Sequence, residues 1–149
     1  MTELAAAKPA KLIEAMGTPA EGMYDVFHWA PTLAHKENVE FMAGFAAYAK
    51  QEAEDAAVLG YDVGTTITYA LDQTGGDTDN EKLIAAIEKR RWIGPRGECS
   101  FGPNHCIVQP VYVRQVRRVG GKLSIVAAAN VGQHTTPGDA AGPGGRCQM

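Results

Sequence analysis

At Gly94-Pro95 the periodicity of the chain changes, and no other feature constrains the fold as strongly. Upstream, apolar residues recur at spacings of three and four, which a helix gathers onto one face. Downstream they alternate, and alternation is the period of a strand. The chain therefore reads as α/β, with helices followed by antiparallel strands.

Val39, Phe41, Met42, Phe45 and Tyr48 predict a helix over 37–50. Val58, Tyr61, Ile67 and Leu71 predict a second over 54–73, with Gly60 and Gly64 on one side where another element could approach closely. Thr74-Gly75-Gly76-Asp77 reads as a left-handed end, and Thr78-Asp79-Asn80-Glu81 offers side chains that cap a new start. A third helix is expected over 80–91, its Lys89-Arg90-Arg91 opposing the helix dipole in the last turn. Strands follow near 97–101, 107–118 and 122–129, joined by Gly102-Pro103-Asn104-His105 and by a tight Gly120-Gly121 hairpin. Ahead of all this, residues 1–19 read as a poorly ordered lead with one helix-like turn at Leu12 to Met16. Gly22 to Trp29 has the composition of a strand that ends at Pro31. From Gln133 the Pro- and Gly-rich tail is expected to be irregular.

At 149 residues, with 45% apolar and 21% charged side chains, the chain is long enough to bury a real core and is neither a disordered tail nor a disulfide-packed peptide. Its apolar runs fall far short of the roughly 20 residues of a membrane helix. Glu3 stands where a signal peptide needs a base, so the chain as written would stay cytoplasmic if it were the complete product. The net charge of -3 conceals an uneven distribution: residues 1–88 hold 15 acids and 5 bases, whereas 89–149 hold 2 acids and 9 bases. Few aromatic residues are interleaved with those bases, which speaks against nucleic acid as a partner. The plainer reading is a basic face paired to the acidic half.

Cys99, His105 and Cys106 share one predicted hairpin, and a thiol beside an imidazole is the raw material of a nucleophile pair or a zinc site. The spacing suits neither, and no completing ligand set is present, so no metal and no cofactor are expected. Cys99 and Cys106 are either bridged across the hairpin or two reduced thiols. His28, His35 and His134 each lack a neighbouring carboxylate or nucleophile in a recognisable arrangement. Tyr61 and Asp62 read as a core aromatic and an exposed or capping acid. With no GxSxG, phosphate loop or HExxH, the residues describe a non-catalytic domain, a small enzyme using Cys99 or Cys106 with His105 being the weaker alternative.

Several segments in order resemble one family: Ala20-Glu21-Gly22-Met23 before a strand, Pro31-Thr32-Leu33 to Glu37-Asn38, Gly60-Tyr61-Asp62 in a helix, and Gly94-Pro95-Arg96-Gly97 to Phe101-Gly102-Pro103-Asn104-His105. Val108-Gln109-Pro110-Val111-Tyr112-Val113-Arg114 and Gly120-Gly121-Lys122-Leu123 complete the set. Together they resemble the carboxy-terminal portion of the periplasmic solute receptors of branched-chain amino acid ABC transporters. The resemblance implies part of a type I periplasmic binding protein, with two Rossmann-like α/β lobes that close on a solute. It implies a unit over 20–132, with about 29–105 in one lobe and the flanking segments in the other. It further implies a periplasmic location, a small amino acid or amide as ligand and an ABC permease as partner. An incomplete receptor would also self-associate through uncovered apolar faces such as Val39, Met42 and Phe45. Family members often place a ligand-contacting aromatic five residues before the tyrosine of Gly-Tyr-Asp, and that position here is Ala56. Trp29, near a hinge crossing, and Tyr61 are the other candidate ligand contacts. A sensor or regulator built on the same fold is the alternative.

Overall fold

The computed structural model describes residues 9–134. Its elements are α1 (Pro9–Met16), a short 3-10 turn at Thr18–Ala20, β1 (Tyr24–Phe27), α2 (Lys36–Ala49), α3 (Asp55–Gln73), α4 (Asn80–Glu88), β2 (Arg91–Gly94), β3 (Gly97–Phe101), β4 (Ile107–Val119) and β5 (Lys122–His134). All strand pairs are antiparallel. β4 is the common strand: β5 lines one edge of it, while β3 at Ile107–Val108 and β1 at Tyr112–Gln115 share the other. β2 is added outside β3.

The helices begin and end where local chemistry requires. The Asp79 side chain accepts from the Lys82 amide at 3.1 Å and so caps α4. Past α3, Gly75 and Gly76 take φ of 64° and 85°, and the Gly76 amide returns to the Leu71 carbonyl at 2.8 Å. Gly120 and Gly121, at φ 58° and 86°, make the two-residue hairpin whose mirror-image turn matches the strand twist.

Four expectations are corrected. The lead contains α1, because Ile13 is buried against Ala20 and Val116 in a small core that Leu123 and Ile125 complete. The third helix stops at Glu88, and Arg91–Gly94 is a strand, its backbone groups satisfied by pairing Arg91 with Ser100 through Gly94 with Gly97. Gln133 and His134 continue β5, paired with Pro110 and Gln109; the remainder of the expected tail lies outside the described residues. No described atom comes within 4 Å of a Cβ built on Gly60 or Gly64, so no close approach occurs there.

A second core joins Trp29, Phe41, Ala53 and Val58, with Phe27, Leu33, Met42 and Phe45 packed against it. Met42 and Phe45 are thus partly covered, whereas Val39 is exposed. The first core belongs to α1 and the sheet, and the second to the helices.

Candidate functional site

Where the two cores meet, the chain leaves β1 and crosses toward α2, and the crossing is held by side chains that run out of other partners. Trp29, 1% exposed, packs edge-on to Phe41 with ring centroids 6.2 Å apart and donates from Nε1 to Asn38 Oδ1 at 2.7 Å. Asn38 Nδ2 then donates to the Leu33 carbonyl at 2.8 Å and the Pro31 carbonyl at 3.2 Å, so this buried amide satisfies itself while pinning the turn. Arg114 on β4 reaches across the same seam. Its Nε and Nη2 hold both oxygens of Asp25 on β1, and its Nη1 donates to the Trp29 carbonyl at 3.0 Å and to Asp55 Oδ1 at 2.9 Å at the start of α3.

Burial opposes the Arg114 charge, but the hydrogen bonds to Asp25 and Asp55 outweigh it and hold its pKa above the ordinary value. Burial pushes the Asp55 carboxyl up more than Arg114 pulls it down. The two directions conflict for one pair. The guanidinium governs, because it remains anchored by both oxygens of Asp25 whatever the state of Asp55. His28 sits in the same region with Nε2 buried and unpartnered, its ring 3.9 Å from that of Phe27. Burial, reinforced by the charges of Arg96 and Arg114, lowers its pKa to about 4.

A cavity of about 120 Å³ opens along this seam. Trp29, Pro31 and Thr32 of the crossing and Ala53, Glu54 and Asp55 before and at the start of α3 form one wall, with Leu123, Ser124 and Ile125 of β5 opposite. A second ion-paired tie lies farther along α3. Asp62 accepts from Arg96 Nε at 2.6 Å, Arg96 also donates to Gln109 of β4, and the Tyr112 hydroxyl donates to the Arg96 carbonyl at 2.7 Å.

These ties reverse the reading of Tyr61 and Asp62: the tyrosine is 46% exposed and the acid is 5% exposed. The acid is inside because Arg96 meets it there. The expected thiol chemistry is also corrected. Cys99 is free and Cys106 is in a disulfide, so the two are neither bridged to each other nor both reduced. Cys99 is 2% exposed and burial pushes its pKa up to about 11, the opposite of an activated nucleophile. His105 instead places Nδ1 3.4 Å from Glu88. His35 Nε2 lies 3.1 Å from the Gly94 carbonyl, and His134 Nε2 lies 3.3 Å from the Val131 carbonyl. Among the described residues, no group of three His, Cys, Asp or Glu side chains could hold a metal ion, and no helix is long and apolar enough to cross a membrane.

The family model described as periplasmic binding protein matches residues 4–122. The chain belongs to that family. Within it, the Leu/Ile/Val-binding protein homolog 6 of Brucella abortus is 31% identical over 109 residues, which cover 71% of this chain and 28% of the relative. A solute binding protein of an ABC transporter from Rhodopseudomonas palustris BisB5, solved in complex with 3,4-dihydroxybenzoic acid, superposes with a TM-score of 0.80 at 33% identity. It matches 87% of this chain and 36% of that one. A leucine binding protein from Thermotoga maritima shares the fold at a TM-score of 0.64 and 23% identity, over 87% of this chain and 35% of that one. This periplasmic binding protein chain thus spans about a third of the length of the relatives it matches.

The three candidate ligand contacts do not meet in one place. Trp29 lines the seam cavity. Ala56 lies exposed on the first turn of α3, next to Asp55 but outside that lining. Tyr61 lines a different, larger pocket between α2, α3 and β2. The residues that organise the seam, Asp25, Asp55 and Arg114, carry no motif. Their trace in the sequence is the charge asymmetry, because Arg96, Arg114 and Arg118 of the basic half pair with Asp62, Asp25, Asp55 and Glu21 of the acidic half.

Proposed function

We propose that this chain is the carboxy-terminal part of an extracytoplasmic solute receptor serving an ABC importer, and that its solute is a branched-chain amino acid or a related small acid with an apolar body. The observation that carries the reading is the seam: two separate cores, joined by a crossing and by Arg114, with a cavity between them. Two lobes that close on a ligand are joined at a hinge, and here one buried cation ties acids of β1 and α3 together beside the crossing. On this reading about 29–105 lies in one lobe and the flanking elements in the other. The disulfide at Cys106 fits an oxidising, periplasmic compartment.

Trp29 serves as a stiff wall of the cleft, and Ala56 marks where the family's ring would stand. An alanine there offers little contact and leaves room for a bulkier ligand body. The relatives are named for Leu/Ile/Val binding in one case and solved with 3,4-dihydroxybenzoic acid in another, and what these ligands share is a carboxylate on an apolar frame.

Grafting residues 20–132 in place of their counterparts in the Rhodopseudomonas palustris BisB5 receptor tests the reading. Calorimetry with leucine, isoleucine, valine and 3,4-dihydroxybenzoate should show saturable binding of at least one. A chimera that melts cooperatively yet binds none of them refutes it.

A further inference from the structure

The pocket between α2, α3 and β2 has a volume of about 430 Å³ and shares no lining residue with the seam cavity. That volume falls within the roughly 300 to 1,000 Å³ of small-molecule sites. Its walls are rings: Phe41 and Phe45 from α2, Tyr61 from α3 and Trp92 from β2. The Phe41 centroid lies 5.0 Å from that of Tyr61 and 5.9 Å from that of Phe45.

Arg90 completes the lining. Among the described residues it is one of three buried arginines, and the other two have carboxylate partners, Arg96 in Asp62 and Arg114 in Asp25 and Asp55. Arg90 is 7% exposed, its guanidinium lies 4.3 Å over the Trp92 ring and 5.5 Å over that of Tyr69, and its side chain gives one hydrogen bond among the described residues, to the Thr66 hydroxyl. No carboxylate forms an ion pair with it among the described residues. Burial accordingly lowers its pKa, although Asp62 pulls the other way. A guanidinium has five N–H donors in a flat fork, and a buried cation without an anion gains most from acquiring one.

We propose that this pocket is a second ligand site, which takes a small aromatic carboxylate with its ring among Phe41, Tyr61 and Trp92 and its carboxylate on the guanidinium of Arg90. Rings select a flat apolar body, and the fork of Arg90 selects a planar two-oxygen anion. Glu37 and Glu40 line the α2 wall. They disfavour more highly charged anions such as phosphates and can accept a hydrogen bond from a ring hydroxyl. The site goes beyond the solute-receptor reading and does not depend on it.

The full 149-residue chain provides the test, with calorimetry against 4-hydroxyphenylacetate as the probe. Leucine serves as the ringless control, and phenol as the control without a carboxylate. Saturable binding of 4-hydroxyphenylacetate is expected, at least tenfold tighter than either control, and Arg90→Gln should weaken it at least tenfold. Gly44 also lines the pocket, and a Cβ built there meets nothing within 4 Å, so Gly44→Leu fills the space without straining the helix. This second variant should abolish binding while keeping the thermal midpoint, whatever Arg90→Gln does to folding. Absence of saturable binding, binding that survives Gly44→Leu, or leucine binding as tight as that of the probe and lost in Gly44→Leu would overturn the proposal, whereas leucine bound at the seam is untouched by that variant. None of these variants touches the seam, so their outcome is separate from that of the grafted receptor.

Discussion

The sheet half of the molecule and its helical half close themselves to different degrees. β4 has partners on both edges, and its Val116 meets Ile13 of α1 in a core contained within the described residues. Of the 19 residues of α3, only Val58, Asp62 and Ala70 are buried, and α4 buries none. Leu59, Val63, Ile67 and Ile84 stand exposed instead. A sheet satisfies its backbone by pairing with itself, whereas an amphipathic helix needs a second surface for its apolar face. The helical half is therefore built for something to cover it.

The strongest way to break the comparison is to cut the tie between the halves. Arg96→Met leaves the Asp62 carboxylate, only 7% exposed in its side chain, without its ion-pair partner. Urea denaturation should show a loss of about 3 to 5 kcal/mol. A stability within about 1 kcal/mol of the wild type would mean that α3 is held to the sheet by packing alone.

His28 sharpens the comparison through pH. Its pKa is lowered from 6.5 to about 4 by burial and by Arg96 and Arg114, so between those values the unfolded chain binds a proton that the folded chain refuses. Stability from this group is present above pH 6.5 and is lost as pH falls toward 4, by about 3 kcal/mol at most. His28→Gln should flatten that part of the stability profile measured by thermal melts across pH.

Smaller effects separate local from shared stability. Asp79→Ala removes the cap of α4 and should cost about 1 kcal/mol, seen first as faster amide exchange in α4. The double change Val63→Glu and Ile67→Glu should move stability by only about 0.5 kcal/mol per site, since both residues are more than half exposed. It should nevertheless reduce self-association and hydrophobic-dye binding, read by light scattering and fluorescence, if the α3 face is what draws chains together.

What could be read from the amino acids alone follows from the range of the interactions. α3, β3, β4 and the Gly120-Gly121 hairpin are set by local period and turn chemistry, and they were legible. β2 was not, because Lys89-Arg90-Arg91 looks like a cationic helix end, and four residues are too few to establish alternation before β3 pairs with them. The pairing of a basic half with an acidic half was legible as charge, but not its burial: Arg96 with Asp62 and Arg114 with Asp25 close over separations of 34 and 89 residues. Cys106 was misread for the same reason, since a hairpin neighbour is the partner that proximity in sequence suggests. Trp29's place at a crossing was legible from its position before Pro31, its contact with a ligand remaining a proposal, whereas the ring-walled pocket at Tyr61 needs three elements brought together.

The shared edge of β4 has a mechanical meaning. β3 is paired along it at Ile107–Val108 and β1 at Tyr112–Gln115, so Gln109, Pro110 and Val111 lie between two clamps on that edge and keep only their β5 partners on the other. The middle residue of that span has a locked φ and no amide proton to offer a new partner, which stiffens β4 between the two clamps. Beside the span the β4–β5 register slips between Val111 and Tyr112, which adds local twist. Between its two clamps β4 is therefore stiffened by Pro110 and twisted at Val111–Tyr112, and the relative setting of β3 and β1 passes through these residues.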